Sequence, residues 1–563
     1  MRKVFPLFVV IGLVLAACQA SPSESPTTTE SATPVESMAA FEPTSYPEAG
    51  AQECSTADYA GEMSQISAVD ELTVEFTLCY PDPAFLSKIA FSAMGIHDTA
   101  DLENNMANHL ILAQPNGTGP YMLTSWQRGV QLVLSKNPNY WGDNVGADTL
   151  VFRWSTESAA RLLELQAGTV DGIDNPAPND FDTIEGDPNL SLIPREALNV
   201  MYVGMNENFE PFDDVRVRQA IAMAIDRDRI VKNFYPPNSE AATHFTPCAI
   251  PLGCEGDDWY KFDVPAAKAL LTDAGLGNGF PTVLNYRDVV RGYLPDPNVV
   301  AQDIQAQLKA NLNIDLKIEI QESGTFLDNA TAGALSGLYM LGWGADYPDP
   351  TNFLDYHFNN PANLQFGDID PSVTEPLATA ASTLDTEVRK AAYEEANNAI
   401  RETVPMVPIV HGSSATAWKA DVVGAHSSPL GSEWFAAVTP GDRAQMVWMQ
   451  NAEPIALYCA DETDGETLRL CEATNESLYG YAVGKTDAIP SLATSCDGNA
   501  DATVFTCHLR EGVTFHNGAH LDANDVVLSY AVQWDPNNPL HIGRQGTFDY
   551  WGAFFAAFLP VAP

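Results

Sequence analysis

Residues 299–320 read VVAQDIQAQLKANLNIDLKIEI. Val299 to Leu312 is a long amphipathic helix. From Ile314 to Ile320 apolar and polar residues alternate, the two-residue period of a half-buried strand. A helix running straight into a strand is the repeating unit of α/β architecture. The interleaving continues outward in both directions. Leu72 to Leu78 alternates as a strand, and Gln131 to Leu134 and Leu150 to Phe152 are further strands. Ala159 to Gly168, Val215 to Lys232, Pro265 to Ala274 and Glu387 to Thr403 carry helical spacing, two of them stopping at a glycine. Met446 to Met449 is a strand. Thr503 to Leu509 alternates and faces Cys496 across a Gly-Asn turn, as in a hairpin. The expectation is an α/β body of more than one lobe.

Composition narrows the partners. The chain has 563 residues, with 28 Lys and Arg against 74 Asp and Glu, and a formal charge of −46. At about 150 residues per domain this length allows three or four domains. An aromatic share of 10% supports a large core. A nucleic-acid binder needs clustered Lys and Arg to displace phosphate counterions, and no basic stripe exists. So acidic a surface is also poorly drawn to anionic headgroups.

The start of the chain sets the compartment. Arg2 and Lys3 precede an apolar run, Val4 to Leu15, that ends in Leu15-Ala16-Ala17-Cys18. This is the layout of a signal peptide, 1–18, and small residues before a Cys resemble a bacterial lipobox. Lipidation of Cys18 would anchor the protein outside the cytoplasm. Residues 19–47, rich in Ser, Thr and Pro, form a tether with too little apolar surface to fold. Eight cysteines follow Cys18, an even number that suits an oxidising compartment. Proximity favours Cys248–Cys254, Cys459–Cys471 and Cys496–Cys507, leaving Cys54–Cys79. Zinc ligation lacks any CxxC pair or clustered Cys/His spacing.

Six segments resemble the family 5 solute-binding proteins of ABC importers, the dipeptide and oligopeptide binders. They are Asn116-Gly117-Thr118-Gly119-Pro120-Tyr121, Asn137 to Gly142 (NPNYWG), and Asn206 with Pro211 to Ala220 and Ala224 to Arg227. The others are Ala267 to Leu271 with Ala274-Gly275, Gly342 to Pro350 (GWGADYPDP), and His508 to Gly518 (HLREGVTFHNG). The last of these lies near the start of the family's sequences, before the strand that here runs Leu72 to Leu78. The stretch from about Gln445 reads as the family's beginning, and it breaks off at Phe548-Asp549-Tyr550-Trp551-Gly552. Each part is present once. Either the chain is circularly permuted, with old termini joined near Thr439 to Arg443, or two incomplete proteins have been joined. The complementarity of the pieces favours permutation.

The resemblance implies an α/β, two-lobed periplasmic-binding-protein fold (class II, cluster C) with an extra small domain, circularly permuted. Expected boundaries are 48–148 with 476–563 for the small lobe, 149–247 with 426–475 for lobe I, and 248–425 for lobe II. It implies a non-enzymatic, monomeric lipoprotein without cofactor or metal, which binds peptides or related solutes and hands them to permease subunits. The rival readings are an extracellular hydrolase of peptides or glycans and a sensor or adhesion lipoprotein.

It also implies site residues. Asp346 stands at the position that takes a peptide's α-ammonium, and Trp343 at an aromatic that packs along the ligand; Tyr347 follows in the same loop. Val290-Arg291-Gly292-Tyr293 resembles a stretch whose Arg clamps the terminal carboxylate, which puts Arg291 and Tyr293 in the site, with Arg287 nearby. Other residues are structural. Asp213-Asp214 caps the helix at Val215. His411 is a core-edge histidine. His516 and His520 belong to a turn, and Gly117 and Gly119 lack the Lys-Ser/Thr of a phosphate loop.

Overall fold

The computed structural model describes residues 41–561 apart from 57, 144, 361 and 362. The signal peptide, Cys18 and most of the tether fall outside the described residues. Three sheets organise the body. One has five antiparallel strands in the order Ser45–Tyr46, Met63–Asp70, Thr73–Leu78, Val504–Leu509 and Ala493–Gly498. A mixed six-stranded sheet runs Glu240–Ala241, Met406–His411, Asn199–Met205, Leu338–Gly344, Pro281–Arg287 and Asp315–Gln321. A mixed seven-stranded sheet runs Tyr121–Gln127, Gln131–Lys136, Thr149–Trp154, Gln445–Gln450, Gly172–Asp174, Ser414–Lys419 and Leu190–Arg195.

The late segment is woven into two of these sheets. Gln445–Gln450 lies in mid-sheet, parallel to both Thr149–Trp154 and Gly172–Asp174. Its Trp448 ring is buried 4.7 Å from that of Trp418. Gly172 pairs with both strands there, and a Cβ on it would lie 2.6 Å from Trp418. The hairpin at 493–509 adds to Thr73–Leu78 through Val504–Leu509, and Cys496 sits directly opposite Cys507. All four expected disulfides are formed.

Sheet membership moves the expected boundaries. Tyr121–Gln127 and Gln131–Lys136 pair into the seven-stranded sheet rather than with the small lobe. Asn199–Met205, expected in lobe I, is central to the six-stranded sheet, and Ser414–Lys419, expected in lobe II, belongs to the seven-stranded one. Apolar alternation shows that a strand exists but not which strand it joins. The chain passes between these two sheets at Arg195 to Asn199 and at His411 to Ser414. The crossings are tied together: Asn199 Nδ2 donates to Gly412 O (2.8 Å), and Gly412 N–H donates to Asn199 Oδ1 (2.9 Å). His411, buried as expected, faces Asn199 O through Nδ1 (2.6 Å).

The expected helix Val215 to Lys232 is two helices, Val215–Ala224 and Arg227–Phe234. Asp226 breaks it. Its carboxylate accepts from Arg229 N–H to cap the second helix, while its own N–H donates to Gln307 Oε1. Asp214 caps the first.

Three of the matched motifs meet at Glu476. Its carboxylate accepts from Thr118 Oγ1 (2.9 Å), Tyr140 OH (2.8 Å) and Trp141 Nε1 (2.8 Å). Arg510 lies 4.0 Å over the Trp141 ring. His516 N–H donates to Gly117 O, and its Nε2 faces Gly119 O. A Cβ at Gly117 would fall 2.2 Å from Thr474 O, so only glycine admits this approach. These glycines hold a backbone against a helix end.

Candidate functional site

Asp346 follows the strand Leu338–Gly344 and is buried. Asn352 grips it from the next helical turn. Its Nδ2 donates to Asp346 Oδ2 (2.9 Å), and its Oδ1 accepts from Asp346 N–H (2.9 Å) and from Trp343 Nε1 (3.2 Å). Two tyrosines reach Asp346 from the late segment. Tyr550 OH donates to Oδ1 (3.2 Å), and Tyr481 OH, which donates to Ser87 O (2.7 Å), lies 3.2 Å from the Asp346 backbone carbonyl. Burial pushes the Asp346 carboxyl up to about 7, against the hydrogen bonds of Asn352 and Tyr550. No cation pairs with it among the described residues. The neighbouring Asp349 differs: Arg389 donates to both of its oxygens at 2.9 Å. The buried Lys88 is committed to Glu62 (2.8 Å) and Asp82 (2.9 Å).

Tyr550 is held from behind. Asp461 accepts backbone N–H bonds from Gln545, Gly546, Thr547 and Phe548 at 2.6 to 3.0 Å. Arg544 makes a two-bond pair with Glu462 (2.6 and 2.7 Å). The Cys459–Cys471 disulfide ties this turn to the helix Gly465–Thr474.

The other expected residues occupy mixed positions. Trp343 is half-buried and stacks on Tyr356, with centroids 4.3 Å apart. Tyr347 is fully buried; its hydroxyl meets Thr351 Oγ1 (3.2 Å) and its ring packs on Phe554 (5.0 Å). Tyr293 backs onto the Asp346 strand, since a Cβ at Gly342 would lie 2.4 Å from its ring. Arg287 bonds Ser323 Oγ (3.0 Å) and reaches Tyr293 OH (3.5 Å). Arg291 faces Glu466 of the helix Gly465–Thr474, 3.5 Å away. Burial would lower its pKa, but Glu466 together with Tyr293, Asp464 and Asp174 outweighs burial and holds it up. The structure thus gathers Asp346, Trp343, Tyr347 and Tyr293 around one strand end and gives Arg291 an internal acid.

A second charged group lies near the crossings. Arg195 pairs with Asp174 (3.0 Å) and Glu433 (2.6 Å), and Arg469 with the same two acids (2.8 and 2.9 Å). Burial would raise Asp174, yet Arg469 and Arg195 keep it below the ordinary carboxylate value. Among the described residues, His244, Cys248 and Cys254 cluster as metal donors would, but the two sulfurs are bonded to each other. No described helix is long and apolar enough to cross a membrane.

Sequence reasoning missed Asn352, Tyr481 and Tyr550. The tyrosines lie 135 and 204 residues from Asp346, and no local pattern announces such contacts.

The family described as "Bacterial extracellular solute-binding proteins, family 5 Middle" matches residues 32–365 and 487–546. The Di/tripeptide-binding protein 1 of Pseudomonas aeruginosa is 30% identical over 389 residues, covering 67% of this chain and 72% of that one. The Dipeptide-binding protein of Escherichia coli is 31% identical over 386 residues, covering 67% and 71%. The crystal structure of a dipeptide-binding protein from Pseudoalteromonas, in complex with Met-Leu, superposes with a TM-score of 0.60 at 26% identity, covering 67% of this chain and 74% of that one.

Proposed function

Because the chain belongs to the family 5 bacterial extracellular solute-binding proteins, we propose that it captures peptides outside the cytoplasm and delivers them to an ABC permease. The observation that carries the peptide reading is Asp346: a buried carboxylate, held at the lobe junction by neutral donors alone. Burying an unpaired acid is unfavourable, and a ligand ammonium supplies the missing charge. Trp343 and Tyr293 flank the same strand and offer apolar surface to the peptide. Arg291 takes the terminal carboxylate, which replaces Glu466 as its partner. Ligand contacts from both sides favour the closed arrangement, so capture is a population shift.

Anchoring through Cys18 and a tether over 19–47 complete the reading, and they rest on sequence. So does the permuted order. It is supported by the family match in two blocks and by the late strands in two sheets. The two described ends also meet: Tyr46 OH donates to Asp535, while Asn537, two residues on, donates to Pro560 O (3.1 Å).

The test is calorimetry with alanyl-alanine and its N-acetylated form. The wild type should bind the free peptide and reject the acetylated one. Asp346→Asn should weaken binding about a hundredfold or more, while the empty protein melts no lower than wild type. Unchanged affinity in Asp346→Asn would remove Asp346 from the site.

A further inference from the structure

A cavity of about 30 Å³, room for a water molecule or a small cationic head, shares Tyr481 with the surroundings of Asp346. It opens where three parts of the molecule meet. Phe91 comes from the segment after Thr73–Leu78, Ser428, Leu430 and Ser432 from the loop after Ser414–Lys419, and Glu472 from the helix Gly465–Thr474. Tyr481 closes it and simultaneously touches the Asp346 carbonyl (3.2 Å). Phe91 stands 4.7 Å from Tyr550, the other tyrosine on Asp346. Leu430 also packs on the core of the six-stranded sheet. The cavity is therefore part of the same junction between lobes.

Its chemistry is one-sided. Glu472 is the acid in its wall, and no Lys or Arg lines it. Burial pushes Glu472 up to about 7; Ser92 opposes the shift and Glu476 adds to it. Both Asp346 and Glu472 act on Tyr481, whose phenol burial holds well above its ordinary value. Tyr481 thus shares the cavity wall with Glu472 and touches the Asp346 backbone, and among the described residues no Lys or Arg lines the cavity. Hydroxyls of Ser428 and Ser432 offer acceptors, and the faces of Phe91 and Tyr481 suit a cation.

We propose that Glu472 and this cavity form a second cation subsite, which takes the side-chain charge of a peptide whose first residue is Lys or Arg. The inference rests on the peptide reading above, with the α-ammonium on Asp346. The basic side chain then runs along Tyr481 and Phe91 and ends at Glu472. The site would be selective for a ligand carrying two positive charges close together.

The experiment compares lysyl-alanine with norleucyl-alanine, which has a side chain of similar length without the charge, by calorimetry on the intact protein. The wild type should bind lysyl-alanine about tenfold tighter or more, the effect of one hydrogen bond to a charged group. Glu472→Gln should abolish that preference while leaving norleucyl-alanine affinity within about twofold. Equal affinities in the wild type overturn the subsite and leave the peptide reading standing, and this comparison needs no variant to fold. A Glu472→Gln protein that keeps the preference also overturns it. Failure of the wild type to bind either dipeptide overturns the peptide reading and the subsite together.

Discussion

Two regions of this molecule bury charge, and they do so in opposite ways. Near the crossings between sheets, Arg195 and Arg469 face Asp174 and Glu433 in four ion pairs, with no side chain more than 8% exposed. Positive and negative cancel, and the Gly431 carbonyl takes a further N–H of Arg469. At the lobe junction, Asp346 is buried with neutral hydrogen-bond donors, and the half-buried Glu472 has Ser92 and another acid, Glu476, for neighbours rather than a cation. The first arrangement is balanced in charge without a ligand. The second has no Lys or Arg partner among the described residues, which on the proposed reading a solute would supply. An uncompensated acid inside a protein weakens the fold unless something favourable is gained from it. On the proposed reading, the contrast separates charge that builds the body from charge that a ligand would complete.

Breaking the balanced group should give the largest effect. Arg469→Ala leaves Asp174 and Glu433 each short of a partner and should destabilise the fold by about 3–5 kcal/mol, read as a lower denaturant midpoint. Peptide affinity per folded molecule should hold. A milder break tests Glu476, which resembles Asp346 in being a buried acid pushed up to about 7 but serves three matched motifs. Glu476→Gln turns an N–H₂ group toward donors and should cost about 1–3 kcal/mol without changing ligand preference. A binding defect larger than the stability defect would erase the distinction between the structural acid Glu476 and the ligand-facing acid proposed at Asp346.

The smallest effect sharpens the comparison through pH. Asp346 titrates near 7 in the fold against an ordinary 3.8. Between these values the folded protein holds a proton that the unfolded chain has released. The stabilising contribution of this group is therefore present at acid pH and is lost as pH rises through about 7. Ligand affinity runs the other way, because an ammonium needs the ionised carboxylate. Affinity should fall about tenfold per pH unit below about 7, and Asp346→Asn should flatten the profile. A wild-type profile that is flat from pH 5 to 8 would show that Asp346 does not ionise on binding.

The regular elements were largely legible because periodicity is local. Thr73–Leu78, Asp315–Gln321 and Thr386–Thr403 lie within a residue of their expected limits. The disulfides were legible from proximity for the same reason. Asp226 was not read as a break, although an acid four residues before Ile230 is an ordinary helix start. Sheet membership was hidden, since Asn199–Met205 and Leu190–Arg195 are adjacent in sequence yet join different sheets. Asp346 and Trp343 were visible through their motif. Tyr481, Tyr550 and Glu472 were not, because their significance depends on contacts between distant segments.

The two crossings at Arg195 to Asn199 and His411 to Ser414 are the whole covalent link between the six-stranded body and the rest, and none of the four disulfides spans it. A swing of one half against the other thus alters a handful of torsions and leaves every ladder intact. Opening and shutting would proceed as the movement of two rigid jaws, with the recoil gathered at Asn199 and Gly412.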